Sequence, residues 1–183
     1  MKVILAVTGA SGAIYARQCA CRLIGAPQVE RIALIVSDNG RRVMEYEGER
    51  IPESERIVRY GNNDMFCPAA SGSARYDAMI IAPASMGSIG RIAAGVSLSL
   101  IERAADVMLK ERRPLVCVVR ESPYSALHLR NMAALTDAGA VIVPASPSFY
   151  SRPASIEELA ATVTERALAH AGIEVPHYEF DGK

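Results

Sequence analysis

Neither sign of charge dominates this chain. Twenty Lys and Arg residues meet twenty Asp and Glu, so no net field favours nucleic acid or an anionic membrane. No apolar run approaches the roughly 18 residues of a membrane span. The first apolar run is short and ends in a glycine turn, unlike a signal peptide, so a cytoplasmic protein is expected. The four cysteines, Cys19, Cys21, Cys67 and Cys117, show no C-x-x-C spacing. Free thiols fit them better than disulfides or zinc. His128, His170 and His177 are scattered, without metal-ligand spacing. No repeat and no linker rich in Gly, Ser or Pro divides the chain, and 183 residues suit one domain.

What is present is alternation. Half of the residues are hydrophobic. Continuous apolar, strand-like runs recur at 3–7, 32–36, 78–82, 115–119 and 140–143. Helical spacing fills 14–24, 98–110, 125–138 and 156–171 between or after them. The last helix opens with Ser155 and, three residues on, Glu158, the pattern of a capping box. Continuous apolar strands separated by helices predict an α/β fold: a single-domain, doubly wound parallel sheet, Rossmann-like, with helices on both faces. The domain is expected over 1–172, with 173–183 as a C-terminal arm. Residues 48–75 have weak periodicity and many turn formers and are expected as a surface excursion. Much of it, with Met65, Phe66 and Cys67 in sequence, is expected to be buried between subunits, because exposed apolar triplets are costly unless covered.

In an open parallel sheet, ligands bind beyond the carboxyl ends of the strands. The first strand ends in Thr8-Gly9-Ala10-Ser11-Gly12-Ala13. Small residues there let backbone N–H groups approach an anion at a helix start. The spacing matches neither the dinucleotide fingerprint nor the NTP loop, and Ser37 rather than an acidic residue directly follows the second strand, with Asp38 one residue further on, so a mononucleotide is favoured over a dinucleotide. Ser37 follows the second strand, Ser85-Met86-Gly87-Ser88 the third, Arg120-Glu121 the fourth and Ser146 to Tyr150 the fifth. Each serine alone reads equally as a helix cap. Converging in space, they describe a polar rim suited to a phosphorylated ligand. No histidine stands at a strand end, so no Ser-His-Asp triad is available.

The segment 101–114 is dense in charge, and Arg103 and Lys110, seven apart, share a helix face. It reads either as a solvated helix or as a cationic face for a phosphate. Glu121 is open to two roles, proton handling or ion pairing.

The turn Thr8 to Tyr15, the run Arg103-Ala104-Ala105-Asp106-Val107-Met108-Leu109-Lys110-Glu111-Arg112-Arg113-Pro114-Leu115-Val116, Arg120-Glu121-Ser122-Pro123, Gly139 to Ile142 with Pro144-Ala145, and Phe149-Tyr150 with Pro153 together resemble the UbiX-type flavin prenyltransferases. The resemblance covers almost the whole chain in order. It implies a flavoprotein fold over 1–172. It also implies transfer of a dimethylallyl group from dimethylallyl (mono)phosphate to N5 and C6 of reduced FMN, without a metal. The product, prenylated FMN, would serve a UbiD-type decarboxylase. A homododecamer with active sites between subunits is implied as well.

Carried over by matching motif, Gly9, Ala10, Ser11, Ser37, Ser85, Met86, Gly87, Ser88 and Arg120 would contact FMN. Arg103, Lys110, Tyr150 and Arg166 would hold the donor phosphate. Glu47 would reach the site from a neighbouring subunit, and Ser11 and Glu121 would handle protons. Three positions depart from the family: Ala84 where Cys is common, Leu98-Ser99 where a polar pair is common, and Asp38 where Lys is usual. Two other functions are to be weighed. One is an FMN carrier or chaperone without transferase activity. The other is a cysteine-type flavin-dependent decarboxylase, whose usual histidine and Asn-Met-Trp-type motif are absent from this sequence.

Overall fold

The computed structural model describes residues 1–176 and 178. Its strands are β1 (Lys2–Val7), β2 (Arg31–Val36), β3 (Ile57–Gly61), β4 (Ala78–Ala84), β5 (Leu115–Val119) and β6 (Val141–Pro144). Its α-helices are α1 (Ala13–Gly25), α2 (Asp38–Tyr46), α3 (Met86–Ala93), α4 (Leu100–Lys110), α5 (Ala126–Asp137) and α6 (Ile156–His170). The strands form one sheet in the order β3-β2-β1-β4-β5-β6, and every pairing is parallel. The sequence order reverses direction between β1 and β4. That switch opens a crevice beyond the carboxyl ends of these two strands.

Successive side chains of a strand point to opposite faces. In β1, Val3, Leu5 and Val7 pack with α1, α2 and α6, while Ile4 and Ala6 pack with α3, α4 and α5. Both faces are therefore covered, which is why the central strands read as unbroken apolar runs. A polar bridge ties the outer layer: Thr164 Oγ1 donates to Gln18 Oε1 (3.0 Å), and Gln18 Nε2 donates to the Glu157 carbonyl (2.8 Å). Both Gln18 and Thr164 are buried, and both are paired, Thr164 also reaching the Ala160 carbonyl (3.1 Å); an unpaired buried amide or hydroxyl costs about 1–3 kcal/mol.

The doubly wound parallel sheet matches the expectation from sequence, with three differences. Residues 48–75 contain a strand, β3, and two short 3-10 turns, Pro68–Ala70 and Gly72–Ala74. β3 is an edge strand paired only to β2 and only partly buried, so it lacks the continuous apolar signature of the centre. Two further helices, α2 and α3, follow Ser37 and Ser85 directly; each is short and carries glycine, which hides its period. Helix α4 starts at Leu100 rather than 98, because Ser99 and Glu102 close a capping box there. At α6 the Ser155 side chain accepts from Glu158 N–H (3.1 Å) as expected, but the Glu158 carboxylate reaches one residue further, to Ala154 N–H (2.7 Å).

Ile173, at the start of the expected arm, packs into the core under α1 and α6. Residues 173–176 and 178 form no helix or strand; 177 and 179–183 lie outside the described residues. Cys67 is buried within its own chain, whereas Phe66 is wholly exposed.

Candidate functional site

The carboxyl ends of β1 and β4 are locked by Thr8. Its buried hydroxyl donates to the Pro83 carbonyl and accepts from Ser85 N–H, both at 2.8 Å. Ser85 is thereby set as the N-cap of α3, accepting from Ser88 N–H (3.4 Å) with the two hydroxyls 3.1 Å apart. Ser37 caps α2 in the same way, accepting from Gly40 N–H (3.0 Å). Two glycines let α2 press against the first turn. A Cβ at Gly40 would stand 2.7 Å from the Val7 carbonyl oxygen, and one at Gly9 would stand 2.5 Å from the Asn39 Cβ. Any side chain at either position would push α2 away.

The result is a cavity of about 520 Å³ onto which two helix N-termini open. Gly9, Ser37, Ser85, Gly87 and Ser88, all singled out in the sequence, line it. So do residues the sequence reading did not assign to the site: Asn39, Arg42, Asn62, Arg91 and Glu102 among them. The signal for the two arginines was position: each stands one turn or more into a helix that directly follows a strand-end serine. Without α2 and α3 that position had no meaning. Each helix N-terminus carries about half a positive charge. Asp38 and Glu102 stand in the lining with Arg42 and Arg91, and serine hydroxyls, backbone N–H groups and helix dipoles add to the cavity's pull on an anion. The lining suits a phosphate.

The other expected residues divide into groups. Ala10 and Met86 are buried beside the cavity. Ser11 is exposed, and its carbonyl accepts from Arg120 Nε (3.3 Å), which draws β5's end to the first turn. Arg120 also bears on Tyr15 beneath that turn: burial raises the phenol's pKa, and the guanidinium partly offsets this. Glu121 turns its carboxylate to Ser122 N–H (3.0 Å) and forms no ion pair with Arg120. Glu47, expected at the site of a neighbouring subunit, bonds within its own chain. Its carboxylate accepts from Gly12 N–H (3.0 Å) and Ala13 N–H (2.7 Å) of its own chain. A carboxylate, not a ligand phosphate, therefore holds the N-terminus of α1.

Arg166 lines a second cavity of about 520 Å³, between α6, the loop after β6 and the start of the arm, with Ser148, Thr162, Glu165 and Tyr178. Ser148 N–H donates to Thr162 Oγ1 (3.0 Å), pinning that loop to the helix, and Tyr150 N–H reaches the Ser148 hydroxyl (3.5 Å). The tyrosine side chain is exposed. Arg103 and Lys110 are not brought to either cavity of this chain. Arg103 pairs with Asp106 (2.7 Å) and donates to the Ala70 carbonyl (3.1 Å); Lys110 pairs with Glu111. Lys110 stands about 12 Å along α4 from Glu102, at the helix end away from the cavity. A third cavity, about 680 Å³ and flanked by α2 and β3, contains none of the expected residues. Among the described residues no group of His, Cys, Asp and Glu could hold a metal ion.

The Flavoprotein family matches residues 1–169. The flavin prenyltransferase UbiX of Pseudomonas aeruginosa is 41% identical, over 94% of this chain and 90% of its own. A dodecameric FMN-dependent UbiX-like decarboxylase from Escherichia coli O157:H7 superposes with a TM-score of 0.91 at 36% identity, over the whole of both chains. A UbiX structure solved in complex with FMN and dimethylallyl pyrophosphate superposes with a TM-score of 0.87 at 37% identity, covering 97% of this chain and 98% of the other.

Proposed function

Because the chain belongs to the Flavoprotein family and, within it, to the UbiX-type flavin prenyltransferases, we propose that it joins a dimethylallyl group from a dimethylallyl phosphate to reduced FMN. The observation that carries this reading is the strand-end cavity. Its serines, two helix N-termini and glycine-enforced tight approach fit the phosphate and ribityl chain of FMN. Gly9, Ala10, Ser11, Ser37, Ser85, Met86, Gly87, Ser88 and Arg120 are assigned to it. Reduced FMN, when bound, supplies the nucleophilic ring atoms N5 and C6.

The chain's own residues then have three tasks. Tyr150 and Arg166 hold the donor phosphate at the second cavity. As the allylic carbon–oxygen bond lengthens, negative charge grows on the leaving oxygen. The Arg166 guanidinium at the cavity and the Tyr150 phenol on the loop beside it stabilise that charge. Ser11 and Glu121 hold or move a proton beside the first turn. Glu47 orients that turn through Gly12 and Ala13. Lys110 and Arg103, remote from both cavities of their own chain, serve a neighbouring copy. This assignment fits a homododecamer, the assembly named for the E. coli relative. Holding the two reactants together is worth several kcal/mol by proximity alone.

The product, prenylated FMN, passes to a UbiD-type decarboxylase in the cytoplasm; no described helix is long and apolar enough to cross a membrane. The test is anaerobic incubation of the protein with reduced FMN and dimethylallyl mono- or diphosphate, followed by mass spectrometry of the flavin. A prenylated flavin is the expected result, and the comparison of donors identifies the preferred one. Bound but unmodified FMN with both donors would instead identify a carrier. Flavin-dependent loss of CO₂ from a cysteine-terminated peptide would identify a decarboxylase.

A further inference from the structure

We infer that Arg91, oriented by Glu102, is a phosphate-contacting residue of the strand-end cavity and sets its preference for a phosphorylated over an unphosphorylated flavin. This inference rests on the FMN reading above.

Arg91 lies in the last turn of α3, yet its side chain leans back toward the helix start, as long side chains on a helix do. There all three of its nitrogens are placed. Nε donates to Glu102; Nη2 donates to Ser88 Oγ at 3.3 Å; Nη1 lies over Gly87, 3.4 Å from where a Cβ would stand. The guanidinium therefore sits across the first turn of α3, beside the two hydroxyls that cap it.

Glu102 is what holds it there. The residue is only 3% exposed. One carboxylate oxygen accepts from Leu98 N–H and Ser99 N–H at 2.9 Å each, and the other meets Arg91 Nε. The carboxylate thus joins the start of α4 to the guanidinium over α3, and its oxygens are already engaged. Of the five guanidinium donors, one goes to Glu102 and one to Ser88, which leaves three. The side chain of Arg91 remains 46% exposed, on the cavity side of the pair. A planar fork with spare parallel donors, beside two hydroxyls and a helix N-terminus, is matched to the oxygens of a phosphate monoester. A sugar or isoalloxazine edge offers no such set of charged acceptors.

The experiment is flavin titration by fluorescence, with FMN and with riboflavin, of the wild type, Arg91→Ala and Arg91→Lys, alongside thermal melts. In the alanine variant the ratio of FMN to riboflavin affinity is expected to fall about tenfold or more, with riboflavin affinity unchanged. Lysine keeps the charge but not the fork, so it should recover only part of the ratio. An unchanged ratio in Arg91→Ala, with a lowered melting temperature, would mean that Arg91 only neutralises Glu102, and would overturn the proposal. Should the alanine variant fail to fold, the lysine variant decides: a ratio equal to wild type overturns the proposal, and one lowered several-fold supports it. A wild type that binds neither flavin would refute the FMN reading and this inference with it. A wild type that prefers FMN while the variants keep that preference refutes only the inference.

Discussion

The carboxylate of Glu47 accepts a 2.7 Å hydrogen bond from the backbone N–H of Ala13, across 34 residues of chain. Together with the 3.0 Å bond from Gly12 it does the work of a missing cap, since Gly12, the N-cap of α1, has no side chain to offer. The charge also meets the positive end of the helix. Glu47→Ala is expected to cost about 1–2 kcal/mol of stability. Glu47→Gln, which keeps an acceptor, should cost less. Urea unfolding of both variants measures the difference, and equal losses would remove the hydrogen bonds from the account.

Thr8 carries a comparable demand at the other side of the first turn. Thr8→Val preserves shape and leaves the Pro83 carbonyl its bond from the residue-8 backbone N–H (3.2 Å), but it strands Ser85 N–H, now paired with the Thr8 hydroxyl at 2.8 Å. Leaving buried groups unpaired costs about 1–3 kcal/mol. Ser85 caps α3, so the same change should also weaken FMN binding several-fold. Unfolding and flavin titration of one variant report the two effects separately. Full retention of FMN affinity would dissociate Thr8 from the site.

The central sheet and the strand-end rim were legible in the sequence because burial on both faces writes unbroken apolar runs such as Val3 to Val7, and small residues follow them. β3 was not legible: an edge strand half in water, with Arg59 and Gly61 in it, carries no such run. Arg42 and Arg91 were hidden for another reason. Their contribution depends on helices α2 and α3, whose glycines dilute the helical pattern; Gly40 sits tight against β1, and Gly90 faces Asn131 of α5. Glu47 was legible as a residue of interest, but its bonds to Gly12 and Ala13 were not. Nothing local to Glu47 says which backbone N–H it will meet, because the partner is set by how α2 folds back over the first turn.

Cysteine reactivity follows from burial. Cys21 is exposed, while Cys19 and Cys117 are enclosed, and burial pushes both thiols up to about 12. In the native chain at pH 8, Cys21 should react rapidly with a thiol reagent, and all four cysteines should react after unfolding. The linkage has a definite sign. These thiols hold their protons more tightly folded than unfolded, so their contribution is fully present below about pH 9 and is lost as pH rises toward 12. Stability should fall by up to about 1.4 kcal/mol per pH unit for each thiol in that window. Urea unfolding at stepped pH checks the slope in wild type against Cys117→Ala. An identical slope in the two would exclude Cys117 as a source.

Phe66 and Leu98 are large apolar side chains left in water, in a chain whose core is otherwise well covered. Asn62 bonds the start of α4, bringing the two segments that carry them together: its carbonyl accepts from Leu100 N–H at 2.7 Å. A second copy covering this surface would remove both side chains from water, at about 1.5–3 kcal/mol each. Phe66→Ser and Leu98→Asp should each shift the assembly toward smaller species without lowering helix content. Light scattering and circular dichroism at micromolar concentration test this. An unchanged particle size in the double variant would place the interface elsewhere.

Arg166 and Tyr150 are assigned to the donor phosphate, and the surroundings of Arg166 sharpen that assignment. It is exposed on α6 rather than turned toward the core, where Val163 and Leu168 lie. The nearest acid in sequence does not neutralise it: Glu165 pairs with Arg22 at 3.0 Å. Glu158, across the same cavity, is engaged with Ala154 N–H. The two acidic side chains among the described residues of the cavity are thus drawn elsewhere, and the guanidinium faces a space able to receive an anion. A charge-assisted contact to a phosphate is worth about 1.5–3 kcal/mol. Arg166→Ala should therefore reduce prenyl transfer at limiting donor by roughly 10- to 100-fold while leaving FMN affinity near wild type. Tyr150→Phe, which removes one neutral donor, should act in the same direction and less severely. Flavin titration together with single-turnover absorbance at varied donor concentration separates the two quantities. If Arg166→Ala turned over at the wild-type rate with unchanged donor dependence, the second cavity would not be the donor site.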